Sequence, residues 1–172
     1  ASFVFDGKCW IAGGNGSNYY SDVWSTPDGT NWSRATNDAG FDARYGLTGF
    51  VFDNRMWIVG GKTSNEIAGD VWVSSDGTNW ACAVSNAAFP ARYTHTSVVF
   101  DNKMWVIGGY GGLNLNDVWY STNGSNWTRA TASADFSARY DHASVVFDNK
   151  MWVIGGFDGV RRNDVWYSTN GS

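Results

Sequence analysis

The chain has 172 residues, a net charge of −4, 21 glycines, 11 tryptophans and two prolines, long enough for one domain with a true core. Sparse charge and abundant turn formers suit many short strands better than helices. The acidic balance argues against a phosphate-backbone binder, so no nucleic-acid partner is expected, and no apolar run is long enough for a membrane-spanning helix.

No signal peptide is read at the start, and the chain opens with Ala1 rather than Met, which leaves room for a leader or an upstream region. The first predicted strand runs from Ser2 to Phe5 and recurs as Gly49 to Phe52, Ser97 to Phe100 and Ser144 to Phe147. Its unbroken apolar character predicts an element covered on both faces. Asp6-Gly7 and its later counterparts, such as Asp53-Asn54, then mark two-residue hairpin turns into a second strand of the type Met-Trp-Val-Ile-Gly-Gly. A loop follows, and a third strand begins at Asp-Val-Trp. Asp28-Gly29, Asp76-Gly77 or Asn123-Gly124 turns the chain into a fourth strand starting at Asn-Trp.

The frame is strict. The double glycines begin at Gly13, Gly60, Gly108 and Gly155, and the Asp-Val-Trp triplets at Asp22, Asp70, Asp117 and Asp164, all 47 or 48 residues apart. His142 to Ser172 repeats His95 to Ser125 with six differences in 31 positions. One supersecondary unit is therefore copied in tandem, with blades at about 1–42, 43–90, 91–137 and 138–172, the last ending before a fourth strand. All 11 tryptophans fall at three repeat positions. Large rings between sheets, small apolar residues on the innermost strand and paired glycines at a crowded end predict radially packed four-stranded antiparallel blades, an all-β propeller. On this reading every Trp belongs to the scaffold. Cys9 and Cys82 lie on different strands of different repeats and are read as free thiols.

The order apolar strand, Met-Trp-Val-Ile-Gly-Gly, loop, Asp-Val-Trp, Asn-Trp and Ala-Arg-Tyr resembles the kelch repeat over essentially the whole chain. The departure is Trp at the first aromatic position after the glycines, where Tyr is common in that family. The resemblance implies a propeller whose function ranges across adaptors, actin binders, oxidases and sugar-associated proteins. Four units of this kind suggest three assemblies: two chains closing an eight-blade ring, one chain closing a tight four-blade ring, or a piece of a longer parent. A homodimer closing one ring is the expected form.

Strand alternation puts the loops after the second and fourth strands at one end, and there the copies diverge. Five of the six differences between the last two units lie between Tyr110 and Leu115, against Phe157 to Arg162. A constant frame with variable loops predicts a binding face. By position, the kelch resemblance places Asn15, Lys62, Tyr110 and Phe157 there, with Tyr45, Tyr93, Tyr140 and Asp141. Tyr19 and Tyr20 add rings in the first loop, and Glu66, Asp158, Arg161 and Arg162 join Lys62 and Asp141 as specificity candidates. The mixture points to a protein or glycan partner, and the chain is read as a non-enzymatic interaction module. The alternatives are a self-assembling structural repeat with no ligand and a glycan-active enzyme using Asp141 and Asp158.

Catalytic and metal readings are weaker. His95 and His142 share a repeat position that Leu47 occupies in the second unit, which favours packing over ligation. Arg44, Arg92 and Arg139 recur as scaffold and are expected to pair with a repeated carboxylate such as Asp70. Asp141 and Asp158 form the one carboxylate pair that suits glycoside chemistry. No cofactor is expected. Asn-x-Ser/Thr sequons arise from the repeat's own turns and give only a lean to an extracellular or cell-surface location.

Overall fold

The computed structural model describes residues 1–171 and contains strands and turns only. The first blade is β1 (Ser2–Phe5), β2 (Lys8–Asn15), β3 (Tyr19–Thr26) and β4 (Ser33–Thr36), paired antiparallel in that order. The second holds β5 (Arg44–Tyr45), β6 (Thr48–Phe52), β7 (Arg55–Thr63), β8 (Ile67–Ser74) and β9 (Ala81–Val84). The third is β10 (Thr96–Phe100), β11 (Lys103–Tyr110), β12 (Asn114–Ser121) and β13 (Thr128–Thr131). The fourth has three strands, β14 (Ala143–Phe147), β15 (Lys150–Phe157) and β16 (Arg161–Ser168).

Local chemistry explains the meander. Asp53 and Asn54 both adopt positive φ, 49° and 53°, the geometry a tight two-residue hairpin demands. At the outer turn the Asp76 carboxylate accepts the backbone N–H groups of Thr78 and Asn79 and the side-chain amide of Asn79. Those hydrogen bonds lower its pKa to about 2. A β-bulge at the double glycine bends each second strand, as between Ile107 and Gly109.

The innermost strands pack in sequence, β1 on β6, β6 on β10 and β10 on β14. Three apolar layers fill the blade junctions. Phe3, Trp10 and Val23 meet Met56 and Ile58; Phe50, Trp57 and Val71 meet Met104 and Val106; Val98, Trp105 and Val118 meet Met151 and Val153. The tryptophans bury hydrocarbon while satisfying their N–H groups. Trp10, Trp57 and Trp105 donate to the carbonyls of Phe5, Phe52 and Phe100, and Trp72 and Trp119 donate to Asp70 and Asp117.

Two expectations need correction. The innermost strand is not covered on both faces throughout: Phe147 is 70% exposed although its counterpart Phe100 is 7% exposed. Nor is every Trp enclosed by scaffold, since Trp32 and Trp166 are about 40% exposed. For Phe147 and Trp32 the reason is the same, whereas Trp166 faces blade 3 beside a cavity lined by Phe136 and Met151. Each blade lends one face to the blade before and the other to the blade after, and the outer faces of blades 1 and 4 have no such neighbour within the chain. The Ala-Arg-Tyr segments between blades also pair with the sheets: β5 pairs with β7, and Tyr93 and Tyr140 form single bridges to Tyr110 and Phe157.

Candidate functional site

The divergent loops gather at one end of the blades, where the inter-blade segments cross. Six rings stand there in file. Tyr19 meets Tyr45 at 5.0 Å between centroids, Tyr45 meets Tyr93 at 5.7 Å, and Tyr93 meets Tyr110 at 5.6 Å. Tyr110 then meets Tyr140 at 5.8 Å and Tyr140 meets Phe157 at 5.4 Å. Two of these contacts, Tyr93 with Tyr110 and Tyr140 with Phe157, follow from backbone bridges between an inter-blade Tyr and the residue after the next double glycine, and Tyr45 pairs in the same way with Lys62. Interplanar angles of 52° to 79° set edges against faces, the favoured arrangement for aromatic quadrupoles. Burial, followed by the neighbouring phenols, raises the pKa of Tyr45 and Tyr93, so both keep their O–H groups at neutral pH.

Along one side of the file runs a chain of backbone hydrogen bonds. Thr94 N–H donates to Gly46 O at 2.7 Å, and Asp141 N–H donates to Thr94 O at 3.0 Å. Thr94 and Asp141 hold positive φ, 50° and 54°, to make this link. The exposed Asp141 carboxylate helps line a cleft of about 330 Å³ with Tyr140, Gly156, Phe157, Arg161 and Arg162. Five sequence candidates therefore share one concavity on blade 4.

Asp158 lies beside it and is already engaged. Ser137 Oγ donates to its carboxylate at 2.5 Å and Arg162 Nε at 2.7 Å. Together these hold its pKa at about 2. A carboxylate fixed in its ionised form is a poor proton donor, which counts against the Asp141/Asp158 glycosidase arrangement. Ser137 was not a sequence candidate; its position two residues before Arg139 is the signal that it sits at the blade junction.

The remaining candidates lie at the other end of the file. Asn15 pairs with Tyr19 across the first hairpin, and Tyr20 is 40% exposed with its ring over Gly16. Lys62 is half-buried beside Tyr45, and Glu66 is exposed in the next loop, where its carbonyl accepts the Thr63 N–H. Neither Tyr20 nor Glu66 joins the aromatic file.

Under this face the three arginines form identical cradles. Arg92, wholly buried, gives Asp117 two bonds of 2.8 and 2.9 Å and donates to Gly108 O. Its guanidinium also stacks over Phe89. Arg44 with Asp70 and Arg139 with Asp164 repeat the arrangement. Burial alone would raise the Asp117 carboxyl, and the Arg92 hydrogen bonds reverse this and leave it lowered. Asp22, the fourth copy, instead borders a cleft of about 280 Å³ with Gly13 and Trp24. His95 and His142 are buried, each with Nε2 2.8 Å from a Thr hydroxyl on the preceding innermost strand. No cluster of three or more metal-ligating side chains occurs among the described residues.

No curated protein matches the chain. The KLHDC2/KLHL20/DRC7 Kelch-repeats domain family model matches residues 1–169, nearly the full length. Domains of this fold commonly serve as protein-interaction modules. With that match, the repeated double glycine and the blade architecture, the chain belongs to the kelch-repeat family.

Proposed function

We propose that the loop face binds an extended peptide segment of a partner protein, laid along the aromatic file with an acidic group in the blade 4 cleft. The observation that carries this is the uninterrupted line of six rings ending in a cleft that holds Arg161 and Arg162. A peptide is favoured over a glycan because each ring's edge or face is occupied by the next ring, leaving a ridged surface rather than separate flat platforms. Arg161 is exposed and supplies the cation for a carboxylate. Peptides selected on the protein from a random display library are expected to be acidic and aromatic. Combining Tyr110→Ala with Phe157→Ala should weaken the selected peptides at least about 30-fold, the level of a hot-spot loss. Unchanged affinity in a folded double variant would remove this face from consideration.

A second reading, self-assembly of the chain into a closed ring, is favoured by the exposed outer faces of blades 1 and 4. Val4, Ile11 and Trp32 stand open on one, and Phe147, Ile154 and Val165 on the other. These are the two kinds of face that pack on each other at every internal junction.

A further inference from the structure

The aromatic file offers a ligand no free backbone. Tyr93 uses both its N–H and its carbonyl on Tyr110, and Tyr140 does the same with Phe157. Tyr45 pairs with Lys62 across β5 and β7, and the carbonyls of Gly46 and Thr94 accept from Thr94 and Asp141. Strand addition needs an open edge, so it has no footing on this face. A ligand here is held by side chains.

Those side chains leave one kind of polar group open. Tyr93, Tyr110 and Tyr140 are half-buried and touch one another ring to ring. Among the described residues no hydrogen bond engages their three hydroxyls. Burial, then the neighbouring phenols and Asp141, raises the Tyr93 pKa, so this group meets a ligand as an O–H donor. The Thr94 hydroxyl is already given to the Tyr93 carbonyl. Over these rings the face therefore presents donors and π-surface.

A chain laid there must bring carbonyl acceptors. An N–H pressed against the rings would lose its water without gaining a partner. An α-helix spends its carbonyls on itself. Proline meets both demands, since it has a carbonyl and no N–H. A polyproline II helix makes no internal hydrogen bonds and rises about 3.1 Å per residue, so about two residues pass each ring at spacings of 5.6 and 5.8 Å.

We infer that the segment bound by the loop face is proline-rich where it crosses Tyr93, Tyr110 and Tyr140, and lies there as a polyproline II helix whose carbonyls accept from the three phenols. This rests on the peptide-binding function proposed above and names the conformation and chemistry of the partner segment.

A fluorescein-labelled, amidated octaproline peptide ending in a glutamate pair is the probe, titrated with the full chain and followed by anisotropy. The octa-alanine version, equal in charge, is the control. The proline peptide should bind saturably and at least about 10-fold more tightly than the alanine peptide, because its conformation is set before binding. Combining Tyr93→Phe, Tyr110→Phe and Tyr140→Phe keeps the rings and removes the donors. That variant should bind the proline peptide at least about 10-fold more weakly with an unchanged folded spectrum. Tyr110→Phe alone, the smallest disturbance to the face, should lose about 3-fold. Equal binding of the alanine peptide, undiminished affinity in the Phe variants, or no binding of the proline peptide up to about 1 mM would each overturn the inference. Library peptides that lack proline yet lose affinity in the Tyr110→Ala, Phe157→Ala variant would overturn it too, while leaving the loop face as the binding site.

Discussion

His95 and His142 are held neutral in the folded protein. Burial, reinforced by Arg139, lowers the His142 pKa from 6.5 to about 4, and burial, with Arg92 and His142 nearby, holds His95 well below its ordinary value. The unfolded chain takes up a proton on each near pH 6.5. As pH falls from about 6.5 toward 4 the unfolded state therefore binds more protons, and stability falls by up to about 1.4 kcal/mol per pH unit per histidine. The low carboxylates Asp76 and Asp158 act in a lower window, since their stabilisation is lost only as pH drops below their unfolded values near 3.8. Urea midpoints measured between about pH 7 and pH 5 should decline in the wild type and flatten in a His95→Leu, His142→Leu double variant. Leu47 shows that the fold accepts leucine at this repeat position. A slope unchanged in the double variant would mean that the histidines are not the acid-sensitive groups.

At the scale of the element, the outer turn and the second-strand Trp form a lock between blades. A Cβ at Gly124 would lie 2.1 Å from Cζ3 of Trp57, whereas a Cβ at Gly29 would meet nothing within 4 Å. Both glycines have nearly the same φ, 77° and 78°. Gly29→Ala should cost about 1–2 kcal/mol from backbone strain alone. Gly124→Ala adds a steric conflict worth about 1–3 kcal/mol. Equal losses in chemical unfolding would show that the Trp57 contact is not limiting. The turns themselves were legible in the sequence because Asp-Gly and Asp-Asn pairs state their own backbone geometry. The Arg-Asp cradles were legible too, since three arginines and a carboxylate recurred in one frame. β5 was not: a two-residue strand is created by the neighbour it pairs with, not by its own propensity. Exposure was hidden for the same reason. Phe100 and Phe147 sit in matching sequences, yet only the first has a following blade to cover it. The aromatic file was legible as a set of residues and illegible as a line, because its order arises from bridges within a blade, such as Tyr93 with Tyr110, and from ring contacts between blades, such as Tyr45 with Tyr93.

The four blades present two unlike apolar faces, and the self-assembly reading rests on them. Blade 4 ends in a face equivalent to the one blade 3 buries against blade 4. Blade 1 begins with a face equivalent to the one blade 2 buries against blade 1. A contact between unlike faces either closes a ring or propagates as a filament. On the self-assembly reading, two chains meeting twice, face to opposite face, bury all four surfaces and leave none to propagate. Light scattering over a range of concentrations is then expected to report a mass near twice 18.9 kDa. Phe147→Glu with Val165→Glu places charge on the blade 4 face only and should return the protein to a monomer with unchanged strand content. Both sites are exposed within one chain, so their cost falls on the junction and not on folding. A wild-type monomer at every concentration would remove the ring-closing pair. A mass rising without plateau would instead mean that the junction angle does not close after two chains.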